Sequence, residues 1–199
     1  MLPAVILAAG LSTRMGRLKA LVPFSDTETF VAHLVRSFNQ AGADDVVVVA
    51  GFEAPRVVEE IERARLPCRV LVNTRYNDGQ FSSILTALEA IDRPGTDGMM
   101  LTLVDVPLVS PATIRAVVAR YRDTHAPVVR PVQGDEHGHP VIIDRSLFAA
   151  LRNADVNQGA KPIVRAHVSP AGDVEVDDRG AFDDVDTPDD YVRLFGRPL

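Results

Sequence analysis

With 199 residues, 46% hydrophobic and 24% charged side chains, the chain has the size and mixture of one globular domain with a substantial core. A formal net charge of -6 argues against a general nucleic-acid binder, which carries a basic excess. It leaves phosphate substrates open, because a few local Arg and Lys residues can govern one pocket. Cys68 is the only cysteine, so an intramolecular disulfide and a cysteine-based zinc site are excluded, and a reducing cytoplasm is the expected setting.

The apolar start, residues 1–9, lacks a basic n-region and runs straight into a Gly/Ser/Arg loop, so it does not read as a signal segment. No stretch approaches the ~20 apolar residues that span a bilayer. The expectation is a soluble cytoplasmic protein with no membrane partner. Uniformly apolar runs at 5–8, 46–50, 70–72, 99–104 and 127–129 read as strands covered on both faces. Between them, 29–41, 55–65, 81–91 and 110–121 place apolar residues at helical spacing. Gly42 follows the first helix where a C-terminal glycine sits, and Ser110-Pro111 opens the last with an N-cap and a proline at the first helical position. After Gly134 the pattern changes to a strand at 140–143, a short helix at 145–151, a short strand at 174–176 and a last helix from Thr187-Pro188. Alternating strands and helices predict an α/β fold with a mixed, mainly parallel sheet and helices on both faces. One domain is expected, with residues 1–133 as its first part and 134–199, where the pattern changes, as its second.

In open α/β sheets ligands bind beyond the carboxyl ends of strands. The first such loop is Leu7-Ala8-Ala9-Gly10-Leu11-Ser12-Thr13-Arg14-Met15-Gly16-Arg17-Leu18-Lys19. Small residues and glycine let backbone N–H groups approach an anion, Arg14 offers a bidentate fork and Lys19 a mobile point charge. The spacing is neither that of a P-loop nor that of a dinucleotide-binding Rossmann turn. Residues 7–19 resemble the LAAGxSxRMGxxK signature of the nucleotidyltransferases that include molybdopterin cytidylyltransferase and the related guanylyltransferase. The resemblance implies a three-layer Rossmann-like fold in which this loop wraps a triphosphate, with Leu7, Ala8, Ala9, Gly10 and Ser12 around it and Arg14 and Lys19 on its phosphates.

A triphosphate needs a cation, and Mg²⁺ takes one or two protein carboxylates. Asp105 ends the apolar run 99–104, and Asp186 stands in Asp183-Asp184-Val185-Asp186-Thr187-Pro188. Each could instead serve as a turn or helix cap. The Val104-Asp105-Val106-Pro107 segment resembles the family's metal-binding aspartate, and Asp186 the second ligand from a "DxDTPxD" segment, with Asp184 as competitor. These implied roles make Lys19, Arg14 and Asp105 the catalytic candidates.

The polar stretch 73–83 can read a base edge or simply cap the next helix. By resemblance it is the segment near base and ribose, which implicates Asn73, Gly79, Ser82 and Ser83. Ala9 and Gln80-Phe81-Ser82 stand where guanylyltransferase relatives carry a second glycine and a Gly-Pro-Leu type segment, which favours CTP over GTP. His139, in a "GHPV" segment, and Lys161, in a partial "GDxGAR" match, are the implied acceptor contacts. In that match Val156 replaces glycine, Asn157 replaces Asp and Lys161 replaces Arg. The implied reaction is transfer of a nucleoside monophosphate from CTP to a pterin phosphate, with release of pyrophosphate and a molybdoenzyme as a potential partner. A sugar phosphate, a polyol phosphate or a phospholactate-like acid is the alternative acceptor. A non-catalytic nucleotide-binding accessory of a molybdoenzyme is the reading from another class.

Overall fold

A computed structural model describes residues 1–199. Strands β1 (Ala4–Ala8), β2 (Val46–Ala50), β3 (Arg69–Val72) and β4 (Gly98–Leu103) alternate with helices α1 (Phe30–Gln40), α2 (Ala54–Arg63) and α3 (Gln80–Ile91). Then come α4 (Pro111–Thr124), β5 (Val128–Gln133), β6 (Glu136–His137), β7 (Val141–Asp144), α5 (Phe148–Arg152), α6 (Lys161–His167), β8 (Asp173–Glu175) and α7 (Pro188–Phe195). Seven of the strands lie in the order β3-β2-β1-β4-β7-β5-β6, and β8 pairs with β5.

The strand residues alternate between two cores because successive side chains point to opposite faces. Ala4, Ile6 and Ala8 of β1, with Val46, Val48 and Ala50 of β2, face α1, α2, α4 and α7. Val5, Leu7, Val47 and Val49 face the other way, against α3 and α5. Burial on both faces is why these runs are apolar throughout.

β1 pairs in parallel with both β2 and β4, and β2 with β3. The carboxyl ends of four strands therefore share one edge, where the loops 9–19, 51–53, 73–79 and 104–110 gather. β7 enters antiparallel between β4 and β5, so the stretch after residue 134 contributes to the centre of the same sheet. Its register, Leu101 opposite Val141, brings His139 and Pro140 next to the carboxyl end of β4. β5 runs four residues beyond the expected strand end at 129, because its far half is paired by β6 and β8. No helix is long and apolar enough to cross a membrane.

Candidate active site

The loop after β1 is organised around Ser12. Its backbone is left-handed at φ 54°, its carbonyl accepts from the N–H groups of Met15 and Gly16, and its hydroxyl accepts from Lys19 N at 3.0 Å. Met15 and Leu18 are buried and pin the loop to the core, while Gly10 and Arg14 remain exposed. The chain thus turns through a tight bend that points Lys19 back across the end of the sheet.

Lys19 begins a single 3₁₀ turn, Lys19–Leu21, and its side chain is only 11% exposed. Nζ donates to Asp105 Oδ2 at 2.7 Å and also to Asp186 Oδ1. Arg14 Nη1 pairs with Asp186 Oδ2 at 2.8 Å. Asp105 is fixed by the turn that follows β4. Asp186 reaches it because buried Val185 donates its N–H to the Asp105 carbonyl at 2.8 Å, anchoring the 183–187 segment. A capping box then starts α7: Thr187 accepts from Asp190 N, and the Asp190 carboxylate accepts from Thr187 N. Thr187, and not Asp186, is therefore the N-cap residue.

The electrostatics follow from this crowding. Burial pulls Lys19 towards deprotonation, but the hydrogen bonds and charges of Asp105 and Asp186 outweigh it and raise its pKa above the ordinary lysine value. Asp184 stands on the other side of Val185. Burial and the charges of Asp105 and Asp186 push its carboxyl up to about 6. Asp105 Oδ1 is buried with no hydrogen-bond partner, a polar atom left for a ligand to satisfy. No group of three or more His, Cys, Asp or Glu side chains forms a coordination cage by itself.

Arg14, Lys19 and Asp105, but not Asp184 or Asp186, line a cavity of about 360 Å³, within the size range of small-molecule sites. Leu7, Ala8, Ala9, Gly10, Ser12 and Arg14 line one side, and Lys19 and Asp105 the base. Gly79 comes from the opposite loop and Ser83 from the first turn of α3. The structure does not bring Asn73 and Ser82 to this wall. The Asn73 amide donates to Ser82 Oγ at 2.7 Å and Ser83 Oγ at 3.0 Å, and Ser82 Oγ donates to the Arg75 and Gly79 carbonyls. Both side chains are spent on shaping the loop. Tyr76, Asn77 and Gln80 line the cavity instead. They flank Gly79, so the glycine that marks the bend was the available signal for them.

The two acceptor candidates lie apart. His139 is half-buried, with Nδ1 3.3 Å from the Leu101 carbonyl, and burial holds its imidazole below the usual pKa. Its ring packs beside β4 and is not on the cavity wall. Lys161 starts α6 and lines a second cavity of about 460 Å³, which shares Gly79 and Gln80 with the first.

A curated relative named Nicotine blue oxidoreductase, from Paenarthrobacter nicotinovorans, is 31% identical over 96% of this chain and 94% of its own. Molybdenum cofactor cytidylyltransferase of Escherichia coli (strain K12) is 24% identical over 94% of this chain and 92% of its own. The crystal structure of Rv0371c from Mycobacterium tuberculosis H37Rv superposes with a TM-score of 0.83 at 31% identity, covering 98% of this chain and 97% of that one. The same protein in complex with manganese gives a TM-score of 0.78 at 29% identity, with 98% of each chain covered. The model of the MobA-like NTP transferase domain matches residues 4–171, and the chain belongs to that nucleotidyltransferase family.

Proposed function

We propose that this protein transfers the CMP group of CTP to the phosphate of a pterin acceptor of the molybdopterin type, with a divalent cation, Mg²⁺ in the cell. The observation that carries the reading is the convergence of Asp105 and Asp186 on Lys19, which together with Asp105 lines the cavity beneath the loop after β1. The preference for CTP is supported by Ala9 and by the Gln80-Phe81-Ser82 segment, which depart from the guanylyltransferase pattern, and by the cytidylyltransferase among the relatives.

The donor set suits a hard cation. Two carboxylates and phosphate oxygens are what Mg²⁺ takes, and the unpartnered Asp105 Oδ1 is an available ligand atom. Asp105 and Asp186 would hold the ion, which would supply positive charge against the phosphate oxygens. The manganese complex of Rv0371c supports a divalent ion at this fold.

In the reaction, an acceptor phosphate oxygen attacks the α-phosphorus in line, the bond to the bridging oxygen breaks, and pyrophosphate leaves with the electron pair. The protein forms no covalent bond; its residues position and stabilise charge. Lys19 and Arg14, at the cavity wall, exchange their carboxylate partners for phosphate oxygens. Asn73 and Ser82 tie the loop that carries Gly79 to the start of α3, which carries Ser83.

A pyrophosphate-release assay with CTP, GTP, ATP and UTP against pterin-phosphate and sugar-phosphate acceptors tests the reading. Release with CTP and the pterin acceptor is expected, and release only with a sugar phosphate would replace the acceptor. A second reading, an oxidoreductase activity, has the 31% identity to Nicotine blue oxidoreductase in its favour. The loop after β1 lacks the dinucleotide glycine pattern. Loss of NADPH absorbance in place of pyrophosphate release would establish that second reading.

A further inference from the structure

We propose that Asp178 is a positioning residue for nucleotidyl transfer: it ties residues 178–186 to the loop after β4 and thereby sets the spacing of Asp105 and Asp186. This inference deepens the nucleotidyl-transfer reading and rests on it.

Asp105 and Asp186 belong to different segments, the loop between β4 and α4 and the stretch ahead of α7, so no single element fixes their spacing. The two segments are laced together in opposite senses. Val185 N–H donates to the Asp105 carbonyl at 2.8 Å. Gly180 lies so close to the loop that an added Cβ would be 2.1 Å from the Leu108 carbonyl oxygen. At the far end, Ser110 N–H donates to Asp178 Oδ2 at 3.0 Å, and the Thr113 hydroxyl donates to the same oxygen at 2.5 Å. The strap descends through 185, 180 and 178 as the loop ascends through 105, 108 and 110, so each contact constrains the others.

Asp178 serves both partners at once. Its Oδ1 accepts from Gly180 N at 3.2 Å and caps the 3₁₀ turn Arg179–Ala181, which leads to Asp186. Its Oδ2 holds the start of α4, which closes the Asp105 loop. A carboxylate accepts at both oxygens, whereas asparagine keeps one acceptor and turns an NH₂ against donors. Thr113 is buried, so its hydroxyl has no ready replacement for this partner. The other anchors are backbone groups: Val185 N–H, and His139 N–H on the Ala181 carbonyl at 2.8 Å. Asp178 does not line the cavity, so it acts through the strap.

The functional consequence follows from the spacing. Asp105 Oδ2 and Asp186 Oδ1 both bind Lys19 Nζ, a separation that suits one small cation. Mg²⁺ demands oxygens at about 2.0–2.1 Å in near-ideal geometry, so a strap that shifts weakens the cation site first. CTP contacts made by the loop after β1 stay in place. A merely structural Asp178 would lower Tm and leave the Mg²⁺ requirement alone.

The test is calorimetric CTP titration of the full chain across a Mg²⁺ series, with Tm measured in parallel, for Asp178→Asn, Thr113→Val and Ser110→Ala. The last removes the hydroxyl that accepts from Thr113 N at 3.2 Å but leaves both Asp178 contacts, so it controls for stability. The Mg²⁺ midpoint should rise about tenfold in Asp178→Asn, the low end for losing an outer-shell support of a metal site. A smaller rise is expected in Thr113→Val, with CTP affinity at saturating Mg²⁺ restored in both. Ser110→Ala should lower Tm without moving the midpoint. Unmoved midpoints in both strap variants, or an equal rise in Ser110→Ala, overturn the inference, and CTP binding by the wild type then leaves nucleotidyl transfer standing. If Asp178→Asn does not fold, Thr113→Val decides. A wild type that binds no CTP refutes the transfer. Mn²⁺ binding without nucleotide, read by electron paramagnetic resonance, then decides the strap: it stands if Asp178→Asn weakens that binding and falls otherwise.

Discussion

Gly51 sets the distance between the two loops that enclose the first cavity, and replacing it with alanine is the sharpest structural test of that cavity. A Cβ at this position would lie 2.7 Å from both Ala9 Cβ and Tyr76 Cβ and 2.9 Å from the Ala9 carbonyl oxygen. Carbon atoms rest near 3.5 Å, so each neighbour must yield by roughly 0.8 Å. Neither can do so freely. The Ala9 carbonyl accepts from Phe52 N at 3.1 Å, and Tyr76 packs edge-on against the Phe52 ring. Overpacking of this kind destabilises by about 1–3 kcal/mol, and each kcal/mol lowers Tm by about 2–4 °C in a chain of this size. Ala9 and Tyr76 both line the cavity, and misplacing a site by about 1 Å is enough to lower activity by on the order of 10²-fold. Thermal unfolding and CTP titration of Gly51→Ala should therefore show a lower Tm and weaker binding together. A Tm within 1 °C of the wild type with unchanged CTP affinity would refute the close approach on which the cavity's shape depends.

Lys19→Ala removes the cation between two carboxylates that are 19% and 26% exposed, and turnover in the pyrophosphate assay should fall by on the order of 10²–10³; full activity would sink its phosphate role. Thr187→Ala breaks the capping box of α7, with an expected destabilisation of about 1 kcal/mol measured by denaturant unfolding and a raised KM for CTP, because the cap adjoins Asp186. Burial, with the charge of Asp45, pushes the Cys68 thiol from 9.0 up to about 11. Iodoacetamide at pH 8 should therefore alkylate the folded chain about a hundredfold more slowly than the unfolded one. The sign of the linkage is also fixed: between about pH 9 and 11 the folded state keeps a proton that the unfolded state has lost, so stability falls as pH rises, and Cys68→Ala removes that contribution.

The parallel half of the sheet was legible because strands buried on both faces are continuously apolar, and Val46-Val47-Val48-Val49-Ala50 has no other ready explanation. The antiparallel insertion of β7 between β4 and β5 was not, since four-residue pairing is decided by tertiary packing and leaves no periodic trace. Two elements escaped notice. β6 has only two residues, and α6 buries none of its seven, so neither carries the alternation or stripe that marks an element. Within the site, Lys19, Arg14, Asp105 and Asp186 were readable from their motifs, and the structure brings them into contact. The same amide and hydroxyl types serve equally to read a base or to hold a loop. That ambiguity is why Asn73 and Ser82, read as nucleotide contacts, are found bonded to each other while Tyr76, Asn77 and Gln80 face the cavity.

The central claim is that the loop after β1 and the acidic pair receive a nucleoside triphosphate, with CTP preferred. Thermal stabilisation by CTP, GTP, ATP and UTP, each with Mg²⁺, tests it directly. A ligand at 100 times its Kd adds about 2.7 kcal/mol, which is roughly 5–10 °C for this chain length. The predicted result is a shift of that size with CTP, absent without Mg²⁺ and lost in Lys19→Ala. No shift with any of the four nucleotides would contradict it.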